Sequence, residues 1–430
     1  MMKKLLYAAL VASFFSCSNR EESFESNNEV MRNAFQLSEK QATAYANLFY
    51  EGLSRNDSSF VPTRVCTDNI IGKIDYLIEG HDTLLYIINY LGNKGYIIIS
   101  GSNTNFPIVA HSGSGKLSFK DINPNNPLQA LINSYKFKVK RELYKKSFTN
   151  YKYLDDWKDL GKEGYTYEVE LTSTEPKATR GRRRYSSGKP SIYPYTGKAL
   201  DTWHQAGGYN YYADNNSLIG CPAIAIGMLM YDTSQRPTGS MNPTKPNFAY
   251  SDMYDITNIN GTDLARRLRQ IADSIPNYKF TQVQSGASPN DVKIGLQRLG
   301  YTECQFVRYD FDLLYNNMCY TRKGYFGDDV KLNRGTLIFG FAPNGEGHIW
   351  FCDGYYEQSY TVRKKFFGKT IKKWTEYDDR IYLNWGFGEN NGGNGWYCAT
   401  EDFWRSLSGQ FMPYYMNVFM FINLSHYEYR

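Results

Sequence analysis

The sequence has few of the side chains that form structural metal sites. Its 430 residues include seven Cys and five His, with no CxxC pair and no Cys/His cluster at the spacing of zinc ligands. We therefore predict no metal and no cofactor. Cys304 and Cys319 are the nearest pair along the chain, whereas Cys352 and Cys398 lie in aromatic runs typical of buried free thiols. No particular disulfide is predicted.

Long apolar runs and one-sided charge are also scarce. After the first sixteen residues no stretch reaches the ~20 apolar residues of a membrane-spanning helix. The net charge is only +6, and no long basic stripe carries interleaved aromatics, which argues against nucleic acid as a partner. A hydrophobic fraction of 42% with 21% charge excludes a wholly disordered chain. Aromatic residues are abundant at 16%, which favours strands and large cores.

The start of the chain has the features of an export signal. Lys3 and Lys4 precede Leu5–Phe15, an apolar stretch of eleven residues that is too short to cross a bilayer as a helix. We predict a signal peptide over residues 1–16 and a polar tether over residues 17–34.

A cysteine directly follows the apolar stretch. Ser16 before Cys17 resembles the end of a bacterial lipoprotein signal, in which the Cys is lipidated, although Phe14 replaces the usual Leu. An ordinary secretory signal with an incidental Cys is the alternative. We expect an exported protein, held at the outer membrane or cell surface only by a lipid on Cys17 and released if processing removes the anchor.

Residues 35–150 have the pattern of a small α+β unit, which we call the N-terminal unit. Ser38 and Gln41 have capping-box spacing and predict a helix over 38–54. Two apolar runs joined by a turn predict a hairpin. The unit is then completed by a strand and a Lys-rich amphipathic helix. The predicted ranges are 84–90 and 95–100 for the hairpin, 107–111 for the strand and 127–148 for the second helix.

The composition changes after residue 150. No periodicity persists through the Pro- and Gly-containing stretch 174–190, so we predict a linker over 151–184. Four Arg occur in the five residues from Arg180 to Arg184, which is a target for a basic-specific protease. A solvated run of charge is the alternative interpretation.

Residues 185–430, the C-terminal unit, place helices before strands. An apolar segment over 220–231 with Pro222 near its start predicts a buried helix. Helices first and an antiparallel sheet afterwards predict an α+β fold. The remaining predicted helices are 262–275 and 289–299, and the predicted strands are 336–341, 348–352, 380–385 and 396–399.

Four elements of the C-terminal unit together suggest nucleophilic catalysis. Cys221 begins a helix, where amides and the macrodipole favour a thiolate and lower its pKa. His348 stands at the mouth of a strand and is a candidate general base. Asn384 can hold the imidazole while Trp385 shields that bond from water, and Gln205 can donate to an oxyanion beside the Cys221 N–H. Each residue alone also fits a purely structural role, and their order along the chain does not show that they meet.

These segments resemble the streptopain family of papain-like cysteine peptidases. The resemblance rests on Gly220-Cys221 before an Ala-rich helix, on Gly347-His348-x-Trp350-x-x-Asp353-Gly354-Tyr355, and on Leu383-Asn384-Trp385-Gly386, with Trp203-x-Gln205 and Tyr209-Asn210 upstream. It implies a papain-like α+β fold in which the Cys helix packs on an antiparallel sheet. It also implies roles for Cys221 as nucleophile, His348 as base, Gln205 as oxyanion donor, and Asn384 with Trp385 as support for the His.

Residues 35–150 look like the inhibitory prodomain of the same family, on the runs Gly95–Ser100, Pro107–Val109 and Gly115–Phe119. The chain departs from the family at Pro222, where Val is usual, and at Phe387, where a second Trp is usual. None of these departures removes Cys221, His348 or Asn384, so they bear on substrate preference and on helix packing under Cys221, not on the type of reaction.

The sequence therefore predicts an exported cysteine endopeptidase made as a zymogen. Its expected partners are protein or peptide substrates, its own prodomain in cis, and an activating protease that can be the enzyme itself. Two alternatives stay open. A thiol-dependent acyl transferase of the transglutaminase kind would share the acyl-enzyme and differ only in the acceptor. A non-catalytic surface binding lipoprotein would not need Cys221, His348, Gln205 and Asn384.

Overall fold

The computed structural model describes residues 35–54, 70–104, 107–144, 152–171, 198–235, 263–323, 329–333, 335–341, 347–388, 392–398, 417–422 and 424. The predicted signal peptide and tether, Cys17, Cys66 and the Arg run 180–184 lie outside these residues. None of the described helices is long and apolar enough to cross a membrane.

The described residues form helices and an extensive sheet, which confirms the predicted α+β fold. The helices are α1 (Glu39–Ser54), α2 (Leu128–Leu143), α3 (Lys152–Trp157), α4 (Lys198–Asp201), α5 (Cys221–Gln235), α6 (Asp263–Ser274), α7 (Pro289–Arg298) and α8 (Phe311–Met318). The strands are β1 (Ile71–Glu79), β2 (Asp82–Tyr90), β3 (Tyr96–Ser100), β4 (Ile108–Ser112), β5 (Tyr165–Leu171), β6 (Gln305–Arg308), β7 (Cys319–Lys323), β8 (Asp329–Asn333), β9 (Thr336–Phe341), β10 (Gly347–Phe366), β11 (Lys369–Asn384), β12 (Gly395–Cys398) and β13 (Asn417–Ile422).

Eleven of these strands form one antiparallel sheet that runs through both units. The strand order is β1-β2-β3-β4-β12-β11-β10-β9-β13-β6, and β5 pairs with the outer half of β10. A separate two-stranded sheet joins β7 and β8. The N-terminal unit contributes four neighbouring strands at one end, so the two units predicted from the sequence share a single sheet.

The N-terminal unit follows the sequence pattern closely. The Ser38 hydroxyl accepts a hydrogen bond from the Gln41 N–H, and the Gln41 side chain accepts one in return from the Ser38 N–H, which forms the predicted capping box. The predicted hairpin, strand and second helix appear as β2–β3, β4 and α2. β1 was not predicted, because its alternating, half-exposed residues give only a weak apolar signal.

Part of the predicted linker is folded. Within 151–184, residues 152–157 form α3 and residues 165–171 form β5. The Trp157 and Tyr167 rings stack with centroids 5.2 Å apart, and the Tyr167 hydroxyl donates to the Asp156 carbonyl at 3.0 Å. These buried aromatics and the pairing with β10 order a segment whose sequence shows little periodicity.

The C-terminal unit contains the predicted buried helix. In α5, residues 221–231 are all buried, in a core shared with α6, α7 and the adjoining strands. α7 has the predicted cap: the Ser288 hydroxyl accepts from the Asp291 N–H, and Pro289 opens the helix.

β10 and β11 are much longer than the predicted strands 348–352 and 380–385. They form one hairpin whose outer half leaves the core of the C-terminal unit and packs in the core of the N-terminal unit, through Tyr360 and Val362. The turn at Phe367 and Gly368 has positive φ at both residues. The outer half was not predicted because its charged residues give no apolar pattern. It is a strand because its backbone groups pair with those of neighbouring strands, and this pairing does not depend on the side chains.

A buried arginine joins the units where β12 pairs with β4. The Arg380 side chain is fully buried and donates to the carbonyls of Ile108 and Val109, on β4, and to the Asp378 carboxylate. A buried guanidinium is stable only with such partners. The junction between units is therefore held by a charged group that water does not reach.

We expect Arg380→Met to lower the free energy of unfolding by about 3–5 kcal/mol, because it leaves the buried Asp378 carboxylate without its cation. Urea unfolding of the full-length chain measures this loss. Arg266→Met is the matched control, since Arg266 forms an exposed ion pair with Asp263 and should cost less than about 1 kcal/mol. Equal losses in the two variants would contradict the role assigned to Arg380.

Candidate active site

Cys221 is the first residue of α5 and follows a tight turn. Gly220 has φ +92°, and a Cβ there would overlap the Tyr278 hydroxyl and the Ser285 carbonyl oxygen. The first hydrogen bond of the helix runs from the Ile224 N–H to the Gly220 carbonyl at 3.3 Å. Only glycine fits this conformation in this space, which explains the Gly-Cys pair.

The thiol of Cys221 lies against the strand that carries His348. Burial raises the pKa of Cys221 to about 12, while backbone hydrogen bonds from Ile349 and from Cys221 itself lower it. The contact with Ile349 puts the sulfur next to the residue that follows His348. The sequence predicted a lowered thiol pKa from the helix start, but with the side chain only 6% exposed the desolvation of a thiolate outweighs that effect.

The His348 ring is buried and held by a backbone carbonyl. Its Nε2 lies 3.2 Å from the carbonyl oxygen of Trp385, and the ring stacks on Phe387 with centroids 5.4 Å apart. Burial lowers the pKa of His348 to about 4, and the hydrogen bond to Trp385 raises it. Because a carbonyl only accepts, Nε2 carries the proton in the neutral ring and Nδ1 is left as the basic nitrogen.

Asn384 has different partners from those expected. Its amide donates to the Leu200 carbonyl at 2.8 Å, and its oxygen accepts from the Gly386 N–H at 3.1 Å. The imidazole support predicted for Asn384 comes instead from the main chain of Trp385. Asn384 shapes the turn that presents this carbonyl.

Trp385 is fully buried and fixed at both ends. Its backbone N–H donates to the Asn394 side chain at 3.0 Å, and its indole N–H donates to the Gly393 carbonyl at 3.1 Å. The Asn394 amide in turn donates to the Asp201 carbonyl. Asn394 and Asp201 were missed by the sequence analysis. The Gly-rich run Asn390–Asn394 is the one signal that could have drawn attention to Asn394.

Gln205 is buried beside the turn that leads to Cys221. Its backbone carbonyl accepts a hydrogen bond from the Ile219 N–H at 3.0 Å. The preceding residue, His204, forms a β-bridge with Phe387, whose ring covers His348. The segments carrying Gln205, Cys221, His348 and Trp385 are therefore joined in a closed circuit, by two backbone contacts and by the contacts of the thiol with Ile349 and of the imidazole with Trp385.

The Cys221 thiol and the His348 ring are not joined in this structure. Within the described part of the chain no hydrogen bond connects them. The raised pKa of the thiol and the lowered pKa of the imidazole leave both groups neutral at pH 7. Catalytic hydrogen bonds often form only when substrate binds, so in a catalytic pair this bond would form at that point. The described residues contain no group of three or more His, Cys, Asp or Glu side chains that could hold a metal ion. Among the described residues, Cys304 is a free thiol.

Comparison with known proteins matches most of the N-terminal unit to a family model and most of the chain to a solved structure. Residues 34–139 match the family model described as Spi protease inhibitor. No match was found among curated proteins. Among solved structures, a fragment of prointerpain A from Prevotella intermedia is 13% identical, with 81% of this chain and 97% of that chain covered and a TM-score of 0.45. A likeness that distant carries no argument about the site.

The buried neutral His348 should make the protein less stable in mild acid. The pKa is near 6.5 in the unfolded chain and about 4 in the folded one, so between these values the unfolded state binds more protons. This contribution is complete above pH 6.5 and is lost as the pH falls toward 4, by about 3 kcal/mol.

Urea titrations of the wild type and of His348→Gln at pH 7 and pH 4 measure this contribution. Burial also lowers the pKa of His111 well below its ordinary value, so this residue too lowers the stability in acid. Its effect is the same in the wild type and in His348→Gln. The wild-type-minus-variant difference therefore isolates His348. A difference that does not change with pH would contradict a buried neutral ring.

Proposed function

We propose that the chain is the precursor of a papain-like cysteine endopeptidase of the streptopain kind. The observation that carries the proposal is the meeting of the Cys221 helix start with the strand of His348, whose Nε2 is held by a carbonyl so that Nδ1 is the available base. A thiol at a helix start, packed against the strand that carries a buried neutral His, is the kind of perturbed titratable pair that clusters at functional sites.

In the proposed reaction His348 Nδ1 takes the proton of Cys221, and the thiolate attacks the scissile carbonyl carbon. The carbonyl oxygen becomes an oxyanion that accepts hydrogen bonds from the Cys221 N–H and the Gln205 side-chain amide. Collapse of this intermediate expels the amine, which takes the proton from the imidazolium. Water, deprotonated by His348, then releases the acyl group from Cys221. The carbonyl of Trp385 holds the ring through both steps, and Asn384 shapes the turn that presents this carbonyl.

We further propose that residues 35–150 are an inhibitory prodomain. The match to the Spi protease inhibitor family supports this role. So do contacts between the N-terminal unit and the segment that holds Trp385: the Asn126 amide donates to the Gly392 carbonyl, and the Tyr96 hydroxyl donates to the Asn394 carbonyl. Because Asn394 bonds the Trp385 N–H, the prodomain acts on the support of the catalytic His.

The division into a signal peptide over 1–16, a tether over 17–34, a linker over 151–184 and a peptidase over 185–430 belongs to the same proposal. In it the precursor is exported and lipid-anchored through Cys17. The run Arg180–Arg184 is the cleavage segment, and a cut there separates the anchor from the enzyme.

Cys221→Ala tests the reaction directly. We expect loss of casein cleavage with the fold retained, because the substitution removes only the sulfur. Cys304→Ala is the matched control, since Cys304 is another buried free thiol with its pKa raised to about 12 by burial. Full cleavage by Cys221→Ala would reject the proposal. Incorporation of a primary amine into protein in place of cleavage would instead favour an acyl transferase.

Latency is tested by limited digestion with a trypsin-like enzyme. We expect the intact chain to be much less active than the cleaved chain after its N-terminal fragment has been removed. The shared sheet and the Arg380 bonds should keep the two fragments together at first, so cleavage will precede full activity. N-terminal sequencing, size-exclusion chromatography and activity assays follow the two events. Equal specific activity of intact and cleaved protein would contradict latency.

A further inference from the structure

The helix that begins with Cys221 has no capping side chain of its own. Gly220 occupies the N-cap position, where Ser, Thr, Asp or Asn would normally accept a hydrogen bond from the second or third helical N–H. Pro222, the second helical residue, has no N–H. The donors left among the first three helical residues are the N–H groups of Cys221 and Ala223.

A tyrosine from another segment occupies the space of the missing cap. The Tyr278 hydroxyl donates to the Ile219 carbonyl at 2.6 Å and lies where a Cβ on Gly220 would be. Burial raises the pKa of Tyr278 well above its ordinary value, Cys221 raises it further, and a backbone hydrogen bond from Ala223 lowers it. The phenolic oxygen thus lies at the start of the helix, bonded to the carbonyl two residues before Cys221 and within reach of the Ala223 N–H.

Tyr278 leads into a short, well-bonded hairpin. Lys279 and Gly286 exchange both backbone hydrogen bonds, at 2.9 and 3.0 Å. Inside it, the Ser285 hydroxyl accepts from the Thr281 N–H at 2.8 Å and donates to the Thr281 carbonyl at 3.0 Å. A turn closed in this way is rigid enough to hold other segments in place.

The same hairpin contacts both sides of the candidate site. On the Cys221 side, the Thr281 carbonyl accepts from the Leu218 N–H at 3.1 Å. On the other side, the Gln284 side-chain amide donates to the carbonyl of Gly347, the residue before His348, at 3.0 Å. The hairpin thus links the residues just before the thiol to the residue just before the imidazole.

We propose that the Tyr278–Gly286 hairpin sets the position of Cys221 relative to His348, with Tyr278 as a positioning residue that caps the catalytic helix from outside. The inference rests on the proposed function. The phenol oxygen accepts a hydrogen bond from the Ala223 N–H. The Cys221 N–H then remains as the donor at the helix start that can bind the oxyanion. By holding Gly347, Gln284 fixes the start of the strand that presents the base.

Two substitutions test the two ends of the hairpin. Tyr278→Phe removes the hydroxyl and keeps the ring, and Gln284→Ala removes an exposed side chain whose loss the fold should tolerate. Thr336→Val is the matched control, because that buried hydroxyl in the C-terminal unit also donates to a backbone carbonyl, that of Phe421 at 2.6 Å, and Thr336 pairs with Cys352 and not with His348. We expect kcat to fall about 10- to 100-fold in Tyr278→Phe and less in Gln284→Ala, with KM within about twofold, since misplacement of reacting groups acts on the chemical step.

A second measurement does not depend on turnover. The pH dependence of Cys221 alkylation by iodoacetamide is followed by peptide mass spectrometry, on the full-length chain before and after limited digestion. In the digested wild type we expect reaction below pH 7, from a thiolate paired with the imidazolium. Both hairpin variants should lose that low-pH reaction, whereas Thr336→Val should keep it.

The outcomes separate the two proposals. If the wild type cleaves protein and shows the low-pH reaction, and both hairpin variants retain kcat and that reaction, the hairpin proposal is overturned while the peptidase stands. If the wild type shows neither cleavage nor the low-pH reaction, the proposed function fails, and the hairpin proposal falls with it. A similar fall in kcat in Thr336→Val would show that the effect is general loss of stability, which also overturns the positioning role.

Discussion

The antiparallel register of β10 and β11 is the constraint on which the rest of the structure depends. Phe351 pairs with Asn384, so the start of β10, with His348, lies beside the chain that leaves β11 at Trp385. The carbonyl of Trp385 can therefore reach Nε2 of His348. A shift by one residue would turn the His348 side chain to the other face of the sheet. The far end of the same hairpin pairs with β5 and enters the core of the N-terminal unit.

This one hairpin thus couples the candidate site to the N-terminal unit. The inner half carries His348 and the turn at Trp385, and the outer half contributes Tyr360 and Val362 to the other core. Arg380, between the halves, bonds the carbonyls of β4. Burial of a neutral thiol and a neutral imidazole in the same molecule fits a precursor whose site is formed but at rest. Removal of the N-terminal unit would uncover apolar residues of the hairpin, so in the proposed zymogen the cut alone would not complete activation.

Much of this could be predicted from local sequence. Three features depend only on residues that are close together in the sequence, so the sequence pattern predicts them: the capping box at Ser38, the cap at Ser288 and the apolar helix after Gly220. The predicted lengths of strands with a charged outer half, such as β11, were too short, because the backbone partners of these strands come from distant segments. The folding of 152–171 was missed for the same reason: Trp157 and Tyr167 are ordered by contacts with each other and with β10.

The sequence by itself determined which chemistry is available: a thiol at a helix start, one imidazole on a strand, and amides from two other segments. Residue type and helix position are local properties, and they are enough to suggest a nucleophile and a base. Only the tertiary structure decided how these groups are held. The imidazole is supported by the main chain of Trp385, not by Asn384, and the thiol is made neutral by burial in spite of its helix. Every residue has a backbone carbonyl, so the sequence does not show which one will hold the imidazole. The desolvation of the thiol depends on all the groups that pack around it, and these come from distant parts of the chain.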